Sequence, residues 1–152
     1  MQSQRPALKK NKQRHYFFLN PYESEAFTKC PKCDQKTKVR RIPLVIHLEP
    51  AQLVTLNKGC RYCPYCDLII AKRIEGENLM ANAFEAINPE IIGNNYVVIG
   101  TADRKDWLAS RKGLIPSSGF IDRVYLFKDL LNFEVIPAGW YPADKPAKIK
   151  SR

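Results

Sequence analysis

With 152 residues, 45% of them hydrophobic and 11% aromatic, the chain has material for one packed domain, or for a small metal module plus an extension, and is not a disordered polymer. No apolar run reaches bilayer-spanning length, and the charged N-terminus has no apolar stretch behind it, so the composition speaks against a transmembrane helix and a secretory signal. The formal net charge of +10 suits a polyanionic partner or simple solubility, and five cysteines read as reduced thiols lead to the expectation of a cytoplasmic protein.

Residues 1–14 carry Arg5, Lys9, Lys10, Lys12 and Arg14 with no acid and no apolar periodicity, which predicts a disordered basic arm. A β module is expected over residues 15–75. His15 to Leu19 is a short apolar strand closed by Asn20-Pro21, and Tyr16, Phe17 and Phe18 suit a core strand better than a platform for stacking bases. Cys30 to Asp34 reads C-P-K-C-D. Residues 37–49 then alternate, with Ile42, Leu44, Ile46 and Leu48 on one parity, as in a half-buried strand. Pro43 predicts an edge or a bulge there, because proline donates no ladder hydrogen bond. His47 falls on the more polar face and reads as a surface residue. A strand from about Leu53 to Leu56 leads to Cys60 and then to a second cluster, C-P-Y-C-D, from Cys63 to Asp67. Leu68 to Ala71 is a further strand, and the cysteine-bearing hairpins are read as short.

The two clusters match at Cys, Pro, Cys and Asp. Two C-x-x-C pairs separated by a strand-like segment are a ligand set for one tetrahedral metal, Zn2+ above all. Proline after the first cysteine presets the turn, and aspartate after the second tolerates the left-handed backbone that such a turn requires. Disulfides are a poorer reading, because they need an oxidising compartment and leave one cysteine over. A redox C-x-x-C normally opens a helix, and neither pair does. The stretch from about residue 28 to 72 resembles a zinc ribbon, two knuckles on hairpin tips clamping one ion. That resemblance implies Cys30, Cys33, Cys63 and Cys66 as ligands. The gap between the pairs exceeds the commonest ribbon spacing and implies a long hairpin or an inserted turn. C-x-x-C-x-x-C also allows Cys60 with Cys63 as the second pair; the internal match favours Cys63 with Cys66 and leaves Cys60 as a small buried hydrophobe or a spare thiol.

Residues 76–88 change period. Leu79, Met80, Ala83, Phe84 and Ile87 mark one helix face, expected to pack on the sheet, with Asn88-Pro89 ending the run. Gly93 to Asn95 is a turn and Tyr96 to Thr101 a buried strand. Ala102 to Gly119 reads as a long loop containing Trp107. Ile121 to Phe127 and Asn132 to Ile136 read as two strands around Lys128 to Leu130. Pro137 to Pro142 reads as an aromatic clasp, and the tail from Ala143 as disordered. The expected fold is α+β: a zinc-ribbon-like β module, then one helix and antiparallel strands, with residues 76–142 sharing the core of the module.

The sequence has no paired-carboxylate motif, no phosphate-cradling glycine loop, no G-x-S-x-G and no H-E-x-x-H, and only two histidines, so no enzyme is expected. A four-cysteine zinc site is closed and leaves no open coordination position. Four thiolates and one Zn2+ lower the net charge only to about +8. Lys32, Lys36, Lys38, Arg40, Arg41 and Arg61 gather in sequence around the knuckles, which points to low-specificity nucleic-acid binding through phosphate contacts. The other reading is a zinc-stabilised protein–protein interaction module.

Overall fold

The computed structural model describes residues 13–113 and 120–135. Residues 1–12, the clasp at 137–142 and the tail from 143 lie outside them. The elements are β1 (Tyr16–Asn20), β2 (Lys38–Leu48), β3 (Gln52–Cys63), β4 (Leu68–Lys72), α1 (Arg73–Glu85), β5 (Tyr96–Ala102), α2 (Arg104–Arg111), β6 (Val124–Leu126) and β7 (Asp129–Leu131). Two 3-10 turns, Pro89–Ile91 and Ile121–Arg123, precede β5 and β6.

All seven strands form one sheet in the order β6-β5-β2-β3-β4-β1-β7, curled into a half-barrel. Its two edge strands, β6 and β7, are separated in sequence by Phe127 and Lys128 alone, so the segment 124–131 bridges the two edges. Backbone bonds continue across that bridge: Phe127 N–H donates to Ile99 O (3.0 Å) and Lys128 N–H to His15 O (2.7 Å). Phe127 stacks on Phe17 with ring centroids 4.6 Å apart, on the concave side.

This architecture corrects the expected fold. The chain is α+β, but it is not a ribbon followed by one helix and antiparallel strands. The sheet is mixed, because β1 pairs in parallel with both β4 and β7. Alternating apolar residues reveal which face of a strand is buried, but parallel and antiparallel neighbours satisfy the same alternation. Among the described residues there are two helices, since Arg104–Arg111 forms α2 inside the stretch read as a loop. Arg104 and Arg111 both stack on Trp107, at 5.8 and 5.0 Å, from three residues before and four after, and so share its helix face. The strand read at Asn132–Ile136 falls instead on Asp129–Leu131, the residues taken for the turn.

The long gap between the cysteine pairs is occupied by a long hairpin. β2 and β3 pair from Lys38↔Tyr62 to Leu48↔Gln52, so the cysteine-bearing hairpin is not short. Asn94 Nδ2 donates to Glu49 O (2.9 Å) and Glu49 N–H to Asn95 O (3.0 Å), tying its turn to the entry of β5. β2 is an interior strand rather than an edge. Pro43 is tolerated because pairing with β5 begins only at Leu44, and the register slips between Val45 and Ile46.

The concave face holds Phe17, Leu44, Ile46, Cys60, Ile69, Ala71, Val98 and Phe127. α1 lies on this side, toward the Leu48 end of β2. Its buried residues are Met80 and Phe84; Phe84 meets Leu48 and Ile91. The wider face expected from the sequence narrows accordingly: Leu79 is 44% and Ile87 78% exposed. Two polar ties orient the helix. Buried Lys58 on β3 reaches Glu75 (2.6 Å), and Tyr96 OH donates to Glu77 (2.6 Å). The convex face carries Phe18, Leu68 and Ile70, and these form the floor of the cysteine site.

Candidate metal centre

The first knuckle, Cys30–Gln35, follows an irregular segment held by buried Thr37. The Thr37 hydroxyl lies 2.8 Å from Phe27 O and 3.1 Å from Thr28 O. Within the knuckle, Cys30 N–H donates to Gln35 O (2.8 Å), Asp34 N–H to Cys30 O (2.8 Å) and Lys32 N–H to Cys30 Sγ (3.3 Å). The second knuckle spans Cys63–Asp67 between β3 and β4, closed by the Cys63↔Leu68 pair. Asp34 and Asp67, each directly after a second cysteine, have φ of 68° and 55°, the left-handed backbone the sequence anticipated.

The knuckles converge. Cys33 and Cys63 sulfurs are 3.5 Å apart, those of Cys30 and Cys66 3.9 Å apart, and all four lie within 4.8 Å of one another. A tetrahedral zinc with Zn–S near 2.3 Å separates its sulfurs by about 3.8 Å, so this donor set fits such an ion. Among the described residues, no other group of three or more His, Cys, Asp or Glu side chains is gathered closely enough to hold one. Cys30 and Cys63 are buried against Phe18, Phe27, Leu68 and Ile70, while Cys33 and Cys66 are half-buried. Phe18 is fully buried, edge-to-face with Phe27 (5.4 Å) and Phe133 (5.1 Å).

Burial pushes the Cys63 thiol up and, reinforced by hydrogen bonds to Cys33 and Cys30, the Cys66 thiol up to about 12. The Gln35 backbone N–H works the other way and lowers Cys33. Four sulfurs this close share any negative charge poorly, and a divalent cation between them removes that penalty.

Cys60 is set apart. Paired strands alternate faces, so Cys60, three residues before Cys63, points to the concave side while Cys63 points to the convex side. Cys60 is 4% exposed among the concave core residues, its Sγ 3.5 Å from Lys58 O, and burial pushes its thiol up to about 12. The alternative Cys60–Cys63 ligand pair is therefore excluded by strand parity.

Asp67 joins the second knuckle to the open end of the half-barrel. Its Oδ1 lies 2.6 Å from His15 Nδ1 and accepts from Tyr62 OH (2.8 Å), and its Oδ2 lies 3.3 Å from Lys128 Nζ. Burial opposes ionisation of Asp67, but these partners, His15 first, hold its carboxyl below the usual range. Tyr62 is pushed up to about 12 by burial and by its bond to Asp67.

The six basic residues singled out in the sequence do not form one patch. Lys32, Lys36, Lys38, Arg40 and Arg41 are exposed and Arg61 is half-buried. Lys32 stands over Tyr16 at 5.4 Å, and Lys36 closes the first knuckle by a bridge to Lys29. Register splits the rest. Lys38 and Arg40 lie opposite Tyr62 and Cys60, on the concave side, with Arg40 4.9 Å from the centre of the Tyr62 ring. Arg41 and Arg61 face the other way; Arg41 donates to Asn57 O (2.9 Å), and Arg61 Nη1 lies 3.5 Å from Thr37 O. His47 lies outside the metal cluster and is half-buried. No helix among the described residues is long and apolar enough to cross a membrane.

Comparison of the chain with protein-family models, with curated proteins and with solved structures finds no match.

Proposed function

We propose that this chain is a non-enzymatic zinc protein that binds nucleic acid with low sequence specificity through the basic surface beside its first knuckle. The observation that carries the zinc reading is the convergence of Cys30, Cys33, Cys63 and Cys66, with the two closest sulfur pairs at 3.5 and 3.9 Å. Bound there, Zn2+ would supply folding energy to the two knuckles and, with four thiolates around it, no open position for chemistry. The chain's own residues do the rest. Lys32, Lys36 and Lys38 present ammonium groups to phosphates, and Arg40, Arg41 and Arg61 present guanidinium groups on both sides of the β2–β3 hairpin.

Metal analysis of the purified full chain, followed by mobility shifts against mixed nucleic acids over a salt series, tests this. One zinc per chain is expected, with affinity falling at roughly 0.9 log units per log unit of salt for each duplex phosphate contact. Replacing Arg40 and Arg41 with alanine should flatten that slope by about two and leave the zinc content unchanged. No shift at low salt would remove the nucleic-acid reading. A protein-interaction module is the second reading, supported by the exposed Leu79, Ile87 and Ile92 on and after α1. It predicts partner binding that changes little with salt.

A further inference from the structure

The open end of the half-barrel holds a cleft of about 190 Å³ that the sequence reading did not foresee. Arg14, Arg40, Arg41 and Arg104 line it, from three separate parts of the chain, together with His15 and Tyr62. Asp103 is the one carboxylate among its lining residues, and it is already bonded to Arg14 at 3.1 Å. Among the described residues, Arg40, Arg41 and Arg104 make no salt bridge.

The arginines are arranged, not merely gathered. Arg14 lies over the Tyr125 ring at 3.6 Å, Arg40 over Tyr62 at 4.9 Å and Arg104 over Trp107 at 5.8 Å. A guanidinium held by its face keeps its in-plane N–H fork free for an oxyanion, and rests on a surface that limits its rotamer freedom. Arg104 is also the first residue of α2. The Asp103 side chain makes no cap bond to that helix, so the first-turn N–H groups are left without their usual side-chain acceptor. Three uncompensated guanidinium groups around one concavity favour a multiply charged oxyanion over a carboxylate.

We infer that this cleft is a phosphate-binding site, with Arg40 and Arg104 as its paired guanidinium donors. The inference rests on the nucleic-acid reading above and narrows it, because it places a phosphate of the bound strand at the concave end of the sheet rather than over the knuckle lysines. The same chemistry fits the phosphodiester of a strand, a terminal phosphomonoester or free phosphate, and the experiment separates these.

The full-length, zinc-loaded protein would be titrated with inorganic phosphate and with an eight-residue oligothymidylate, with and without a 5′-phosphate. Affinity would be read by fluorescence anisotropy for the oligomers and by the arginine Nε–H signals in NMR for all three. Expected is a shift of the Arg40 and Arg104 signals, and a loss of about tenfold in oligomer affinity for Arg40→Ala and for Arg104→Ala. Arg73→Ala, on α1 away from the cleft, should leave affinity unchanged, and circular dichroism would check that each variant is folded. Equal binding of both oligomers identifies a strand phosphodiester; a preference for the 5′-phosphorylated oligomer identifies a terminal phosphate. Shifts with inorganic phosphate and no oligomer binding would keep the cleft and remove the nucleic-acid reading. Oligomer binding that Arg104→Ala does not weaken would overturn the cleft and leave the knuckle surface standing. No binding of any probe would overturn both.

Discussion

Cys60 and Cys63 sit three residues apart on one strand, and replacing each with serine should separate metal ligation from packing. Cys63 is fully buried, with its sulfur 3.5 Å from that of Cys33. Structural zinc contributes on the order of 10–16 kcal/mol to folding of small zinc modules, while a whole domain is stable by only about 5–15 kcal/mol. Losing even a third of the metal contribution therefore uses most of the margin, and Cys63→Ser should release zinc and unfold the knuckles. Cys60 is 4% exposed on the other face, where a serine hydroxyl would be buried in apolar surroundings at a cost of about 1–3 kcal/mol. Cys60→Ala avoids that hydroxyl and should cost less. Zinc stoichiometry by a colorimetric chelator, paired with denaturant melts, would distinguish the three. Cys60→Ser and Cys60→Ala should keep one zinc per chain, with the serine variant shifted to a lower midpoint. Loss of zinc from Cys60→Ala as complete as from Cys63→Ser would refute the parity assignment and make Cys60 a ligand.

The Lys58–Glu75 tie makes a second test. Glu75→Gln leaves a buried ammonium with only Gly59 O (2.9 Å) to accept from it. Because Glu75 is half-exposed, the cost should be about 1–2 kcal/mol rather than that of a fully buried pair, whereas Lys58→Met should be close to neutral in urea melts. The Lys58 hydrogen bond, working against burial, holds Glu75 below its ordinary carboxylate range. Its contribution is therefore present above the unfolded pKa and lost as pH falls through the folded one, and this part of the acid sensitivity should vanish in Lys58→Met. Phe84→Ala should cost about 3–5 kcal/mol, and Ile87→Ala within about 0.5 kcal/mol of nothing; equal losses would mean that the exposed flank of α1 is covered. At Gly100, an added Cβ would fall 2.1 Å from Tyr125 O on the neighbouring strand, so Gly100→Ala should destabilise by about 1–3 kcal/mol or more, and a thermal melt unchanged from the parent would refute that close approach.

The cysteine site was legible because its information is local. A C-P-x-C-D knuckle is a turn whose backbone requirements are met by its own five residues, and Asp34 and Asp67 adopt the left-handed backbone that this predicts. Strands β1, β2, β4 and β5 were legible in place and in type, since β-branched and alternating residues mark them, whereas only Leu53 to Leu56 of the twelve-residue β3 was read as strand. α2 was not, because its eight residues carry one large apolar stripe centred on Trp107 and its stability comes from arginine stacking and from packing beside β2. The buried side of α1 was misread for a related reason. Five apolar positions on one stripe cannot say that only Met80 and Phe84 reach the sheet.

The sequence alone determined the metal-ligand types and the backbone that presents them, but between a long hairpin and an inserted turn for the gap separating the two pairs it did not choose. Tertiary structure decided everything that depends on which strand edge meets which. The parallel pairing of β1 with β4 and β7 joins residues about fifty and more than a hundred positions apart, and no local pattern encodes that choice. Alternation along β3 turns Cys60 away from the other four cysteines, and alternation along β2 sends Arg40 and Arg41 to opposite faces. Closure of the sheet brings Arg14, ahead of β1, and Arg104, after β5, beside Arg40. Side-chain alternation is written into each strand, but the neighbours it faces exist only once the sheet has closed.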